Sequence, residues 1–171
     1  VPLTWDGSEA NAYVLGAVRW SPDGRKLAAL RVTQLDQALF PNAHQLTTPQ
    51  WWADSRGFTF EYNQRGHQVY RVIEVDAATG AARALVSEEP TTFVSYRPAS
   101  DNLAEPGARW CRDLADGREL LWMSERDAGQ DPYLTKYHRV NFDGTGLVAF
   151  TPDDGTHTVT WSPDTAYYVD Q

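Results

Sequence analysis

Ala53-Asp54-Ser55-Arg56-Gly57 is the nearest this sequence comes to a serine nucleophile elbow, and no Gly-x-Ser-x-Gly string occurs anywhere in it. Such an elbow needs a helix after the serine, whose amides and dipole help form the oxyanion site. Phe58-Thr59-Phe60 follows instead and reads as a strand, so Ser55 is a turn residue on this reading. Glu88-Glu89 is an adjacent glutamate pair, and a buried carboxylate pair suits a cation because charge-assisted bonds strengthen where water is excluded. Lying between Ser87 and Pro90, without aromatic neighbours, it reads as solvated linker charge. His44, His67, His138 and His157 lack any metal-ligand spacing, and Asp153-Asp154-Gly155 lacks the alternating oxygens of a calcium loop. No metal or other cofactor is expected. Arg65 and Arg126 sit in equivalent turns after Tyr62 and Trp122, where recurrence favours a structural ion pair over a substrate contact.

The elements that carry these residues share one signature. Trp20-Ser21-Pro22-Asp23, Trp51-Trp52-Ala53-Asp54 and Trp161-Ser162-Pro163-Asp164 each open onto a short strand-like run. In each, a Trp ends one strand, Pro where present presets φ for a turn, and the Asp carboxylate accepts bonds from turn amides. Recurrence of one corner marks a repeat architecture. Between Trp51 and Val86 the pattern is almost a complete antiparallel sheet: Gly57 to Tyr62 alternates in period two, Asn63 to Gly66 turns, Gln68 to Val75 forms the next strand, Asp76 to Gly80 turns again, and Ala82 to Val86 closes the unit. Three strands and two tight turns in about forty residues match one propeller blade. Arg118 to Ser124, Lys136 to Phe142 and Leu147 to Phe150 repeat the grammar, Pro90 to Gly107 reads as a connection, and only Ser8 to Leu15 admits a turn of helix. In the Trp51-Trp52 pair, period two points one ring in and one out.

Composition sets the outer bounds. The 171 residues suffice for a domain with a core, and seven Trp, eight Tyr and six Phe favour pleated surfaces. A net charge of −8 argues against a nucleic-acid partner. No apolar run approaches the roughly 20 residues of a membrane-spanning helix. The lone Cys111 excludes an internal disulfide framework and a zinc ribbon. The expected fold is all-β: part of a β-propeller, about three to four blades of antiparallel four-stranded sheet, with blade-like units near residues 14–32, 51–86, 118–150 and 157–171.

The Trp-Ser-Pro-Asp-Gly corner, the turn Asp76-Ala77-Ala78-Thr79-Gly80 and the string Leu121-Trp122-Met123-Ser124-Glu125-Arg126-Asp127 together resemble the β-propeller domain of dipeptidyl-peptidase-IV-like serine peptidases, the prolyl oligopeptidase class. The resemblance covers most of the chain. It implies a non-catalytic domain that filters access to a separate α/β-hydrolase domain, absent here, and helps anchor a peptide by its N-terminus. It also implies an intact enzyme that cleaves after Pro or Ala, and relatives that are often extracytoplasmic in bacteria. In the family a paired-glutamate motif grips the substrate amine. Glu9, upstream of the Trp20 corner, stands where that motif does, although Ser8-Glu9-Ala10-Asn11 lacks the second Glu; Glu88 and Glu89 are weaker substitutes. Ala128 to Pro132 interrupts the family's turn and Thr33 to Leu46 is short for a blade, so the chain reads as a piece of something larger. An incomplete propeller leaves strand edges open, and self-association is expected. The alternative is a stand-alone interaction propeller of the TolB or WD type. A propeller glycosidase ranks last, for want of carboxylates at matching inward positions.

Overall fold

The computed structural model describes residues 13–31, 38–47, 49–92, 94, 111–113, 119–124, 131, 134, 136–164 and 166–171. Every regular element among them is a β-strand, and all pairings are antiparallel. The chain divides into two compact units, residues 1–66 with 70–87, and residues 67–69 with 88–171.

In the first unit, β1 (Tyr13–Trp20) pairs with β2 (Leu27–Arg31) as a hairpin across the first Trp-Ser-Pro-Asp corner. The second sheet runs β3 (Ala43–Leu46), β5 (Gly57–Gln64), β6 (Tyr70–Asp76), β7 (Ala82–Glu88), with β4 (Gln50–Trp51) also on β5. The expected helical turn at Ser8 to Leu15 is strand from Tyr13 onward. β3 was not legible because its register partner, the far end of β5, is what gives Ala43–Leu46 its ladder. β6 starts at Tyr70 rather than Gln68, since Gly66 (φ 114°) and His67 (φ 60°) prolong the preceding turn with left-handed backbone.

In the second unit, β8 (Cys111–Asp113), β9 (Glu119–Ser124), β10 (Lys136–Asn141) and β11 (Val148–Ala149) form a four-stranded meander. The last hairpin pairs β12 (Val159–Trp161) with β13 (Tyr168–Asp170). β11 keeps two of the four residues expected for it, because Phe150 and Thr151 both turn their amides to the Tyr137 carbonyl. β8 is a strand that no periodicity announced; it pairs through Cys111 with Trp122.

Period-two alternation on β5 suggested one wet face. Instead Thr59, Glu61 and Asn63 are as buried as Tyr62. Residues on both faces of the central sheet are therefore buried. On the aromatic face Phe40 lies parallel to Phe60 (6.1 Å) and edge-on to Tyr62 (5.6 Å). The Tyr62 hydroxyl donates to the Pro41 carbonyl, and burial pushes its pKa up. Arg71 fastens the same segment, its Nη1 donating to the carbonyls of Ala38 (2.8 Å) and Leu39 (2.6 Å) while Nε donates to Ser87 Oγ (3.0 Å). Each fully buried aliphatic side chain here, Val72 and Ile73 among them, contributes roughly 1.5–3 kcal/mol. Ile73→Ala is expected to cost about 2–5 kcal/mol, read from the urea unfolding midpoint, against roughly 1 kcal/mol for Ile73→Val.

Candidate functional site

The three Trp-x-x-Asp corners are built alike. In the first, the Ser21 hydroxyl donates to Asp23 Oδ1 (2.6 Å) and accepts the Lys26 N–H (2.9 Å), while the Arg25 N–H reaches Asp23 Oδ1 (3.1 Å). In the third, Ser162 donates to Asp164 Oδ1 (2.6 Å) and accepts the Tyr167 N–H (3.0 Å), and the Ala166 N–H reaches Asp164 Oδ1 (3.1 Å). Trp52 replaces the serine in the second corner, so Asp54 takes the Arg56 N–H (3.0 Å) and the Arg56 Nε–H (2.6 Å). One backbone bond closes all three: Ser21 N–H to Lys26 O, Trp52 N–H to Gly57 O, and Ser162 N–H to Tyr167 O, each 2.9–3.0 Å.

These bonds set the charge of the corners. The Ser21 hydroxyl and the Arg25 amide hold the Asp23 pKa down; the Arg56 amide and guanidinium do so for Asp54, and the Ser162 hydroxyl and Ala166 amide for Asp164. A lowered folded value contributes stability that is complete above the ordinary 3.8 and is lost as the pH falls below it and through the lower folded value. The carboxylates are thus committed to their turns.

Ser55, the serine of the elbow-like string, occupies the second corner at φ 61°, where the first corner has Gly24 at φ 69°. It is buried, and its hydroxyl accepts the Asp23 N–H (3.1 Å) while its carbonyl accepts from Lys26 Nζ (3.1 Å). Beside it the Trp51 indole donates to the Arg19 carbonyl (2.9 Å) and its ring packs on Phe58 (5.0 Å). Ser55 and Trp51 are therefore the joint between the second sheet and the first hairpin. A strand, β5, follows Ser55, so the turn lacks the helix that an oxyanion site requires. Of the Trp51-Trp52 pair neither ring is free-standing; both are half-buried.

Of the three sequence-derived substrate carboxylates, two lie among the described residues. Glu9 lies outside the described residues. Glu88 is the last residue of β7 and only 5% exposed, which departs from the solvated linker expected, because the strand runs two residues beyond Val86. Glu89 follows it and is exposed. Arg65 is exposed, its main chain bonded to Asn42, and Arg126 lies outside the described residues. A carboxylate missed from sequence is Glu61, 4% exposed, which accepts the Tyr70 hydroxyl (3.2 Å). Its place in the alternation Phe58-Thr59-Phe60-Glu61 hid it, because polar positions of a strand are normally the wet ones. At that burial it braces the sheet.

Just before β12, buried His157 ties the end of β13 to the turn at Asp153. Nδ1 is 2.9 Å from both Asp170 carboxylate oxygens and Nε2 is 2.9 Å from the Asp153 carbonyl. With both nitrogens facing oxygen acceptors the arrangement favours the imidazolium, and the pKa is raised, first by the Asp153 carbonyl and then by Asp170, against burial and the Lys136 charge.

The meander order and the repeated corners define a β-propeller architecture, of which this chain supplies a part. Residues 32–131 match the family described as the dipeptidyl peptidase IV (DPP IV) N-terminal region, and the chain belongs to that family. Among solved structures, it is similar to the tricorn protease (10% identity, TM-score 0.47, covering 93% of this chain and 14% of that one). It is also similar to the β-propeller domain of the Trilobed protease from Pyrococcus furiosus, titled as having an open velcro topology (12% identity, TM-score 0.45, 88% and 40%). The chain thus spans well under half the length of either structure.

Two outcomes follow from the joint and the imidazolium. Ser55→Ala keeps the left-handed strain and loses the acceptor for the Asp23 amide, whereas Ser55→Gly loses only the acceptor; the glycine variant is expected to be the more stable by about 1 kcal/mol in urea unfolding. For His157, a folded pKa above the ordinary 6.5 means its contribution is full below that value and is lost as the pH rises through the folded one. The stability gap between wild type and His157→Gln is expected to be wide near about pH 6 and to narrow by about pH 9, measured by urea titration at each pH.

Proposed function

We propose that this chain is part of the non-catalytic propeller of a dipeptidyl-peptidase-IV-like serine exopeptidase, where it filters peptides on their way to a separate hydrolase domain and helps hold the substrate's free amine. The observation that carries this reading is the family match over residues 32–131, on a chain whose sheets are braced inward and whose only elbow-like serine is spent on a joint. The absence of a Gly-x-Ser-x-Gly string from the sequence supports an accessory role for these residues, with the acyl-transfer chemistry located elsewhere in the parent protein. Glu9 is the carboxylate this reading assigns to the amine, by its place before the Trp20 corner. A charge-assisted bond between carboxylate and ammonium suits that task, because neither partner needs to change its protonation near neutral pH.

The test is release of a chromophore from Gly-Pro and Ala-Pro anilides by the parent protein. Cleavage is expected with a free N-terminus and not with an acetylated one. Glu9→Gln is expected to raise KM roughly tenfold or more with little change in kcat, since the amine bond is made equally in ground and transition states. Glu89→Gln is expected to leave both constants unchanged. A parent protein that releases no dipeptide, or that accepts acetylated substrates equally well, would sink the reading.

A further inference from the structure

Aspartate followed by glycine occurs five times in the sequence, at Asp6, Asp23, Asp116, Asp143 and Asp154. In such a pair the glycine main-chain nitrogen can attack the aspartate side chain, because no Cβ crowds its approach. The nitrogen gives up its proton and bonds to Cγ, and the carboxyl hydroxyl leaves with a proton as water, closing a five-membered succinimide. Water then opens the ring at either carbonyl. Opening at Cγ restores aspartate; opening at the main-chain carbon leaves isoaspartate, with the chain routed through Cβ and Cγ. Two conditions govern each pair: whether an acceptor holds the glycine N–H, and whether the carboxyl is held ionised.

Asp6 and Asp116 lie outside the described residues, and the other three pairs differ. The Gly24 N–H donates to the Ser21 carbonyl (2.9 Å), and the Gly144 N–H donates to the Asn141 carbonyl (2.8 Å). The carboxylates beside them are held as well. Asp23 Oδ1 accepts the Ser21 hydroxyl (2.6 Å) and the Arg25 N–H (3.1 Å). Asp143 Oδ1 accepts the Thr145 hydroxyl (2.6 Å) and the Thr145 N–H (2.8 Å). Bonds that favour a carboxylate oppose the acid form from which water must leave. Gly155 is built otherwise. Its N–H donates to no group among the described residues. At φ 140° it stands outside the left-handed turn that Gly24 (φ 69°) and Gly144 (φ 86°) occupy, and Asp154 before it is exposed.

We propose that Asp154 is a modification site, where this chain isomerises to isoaspartate ahead of Asp23 and Asp143 because the Gly155 nitrogen is the one of the three not bonded to a carbonyl. The first corner and the Asp143 turn thus protect their aspartates with the same bonds that shape them. The site adjoins the Asp153 carbonyl, which faces His157 Nε2 at 2.9 Å. The added backbone carbon therefore enters the span between the two partners of that contact.

Timed incubation of the folded chain at neutral pH tests this, followed by proteolysis and peptide mapping with electron-transfer fragmentation, which tells isoaspartate from aspartate. Isoaspartate is expected to form at Asp154 at least about fivefold faster than at Asp23 or Asp143, the rate factor that one net amide hydrogen bond sets. In urea, where the turn bonds are gone, the three rates are expected to converge. Asp154→Glu requires a six-membered ring that closes far more slowly; it keeps the charge at an exposed position, so the circular dichroism is expected to be unchanged and the isomerised peptide lost. Equal rates at the three pairs in the folded chain overturn the proposal. So does a lead for Asp154 that persists undiminished in urea, since neighbouring residue types rather than the fold would then set it, or an isomerised peptide that survives Asp154→Glu.

Discussion

The closure of the Trp-x-x-Asp corner is the interaction on which the rest of this structure depends. A carboxylate that collects a hydroxyl and a turn amide holds the first corner in a single geometry, and in every corner one backbone bond from the residue after the tryptophan to the residue five places further on seals it. Two strands leave that turn at a fixed spacing and register. Everything downstream, including the position of the tryptophan before the corner and of the residue opposite it, is inherited from there. The charge is stabilised locally, by groups within the turn itself, so the corner does not wait for tertiary packing to become favourable.

Ser55 shows how such a local device becomes a tertiary one. A turn that needs left-handed backbone normally takes glycine, and the first corner does. The second uses serine, accepts the strain, and gains a hydroxyl that meets the Asp23 amide of the neighbouring hairpin. A strained residue persists only where its surroundings over-determine it. Here the surroundings are the Lys26 ammonium on the Ser55 carbonyl and the Trp51 indole on Arg19. The same arrangement explains why a serine in an elbow-like string is no nucleophile: its oxygen is already an acceptor in a joint.

The central sheet is buried on both faces, and this settles how its polar residues behave. Glu61 takes the Tyr70 hydroxyl, and its N–H finds Thr47 Oγ1 (2.8 Å). A buried carboxylate such as Glu61 is tolerable when it is bonded in this way, and a bonded polar group fixes register more sharply than an apolar contact does. Arg71 plays the corresponding part on the aromatic face, where three of its donor contacts tie the segment before β3 and the end of β7 to one strand. These residues are framework, and they set the scaffold against which any substrate-facing carboxylate would have to be placed.

The sequence by itself determined the corners, the turns and the strands that alternate cleanly, because these are decided by interactions among residues close in the chain. Asp76 with the amides of Ala78 and Thr79, and Gly80 at φ 75°, could be read straight from Asp-Ala-Ala-Thr-Gly. The family could be read from strings of the same kind, and two of them, Asp76 to Gly80 and Leu121 to Asp127, lie within the matched residues 32–131. What only the tertiary structure decided was burial and partnership. That Glu61 and Glu88 are inside, that Ala43–Leu46 and Cys111–Asp113 are strands, that Trp20 is open while Trp51 is engaged: none of these follows from local pattern. Each depends on contacts between residues distant in the chain, and burying both faces of a sheet removes the contrast between wet and dry positions from which alternation is read.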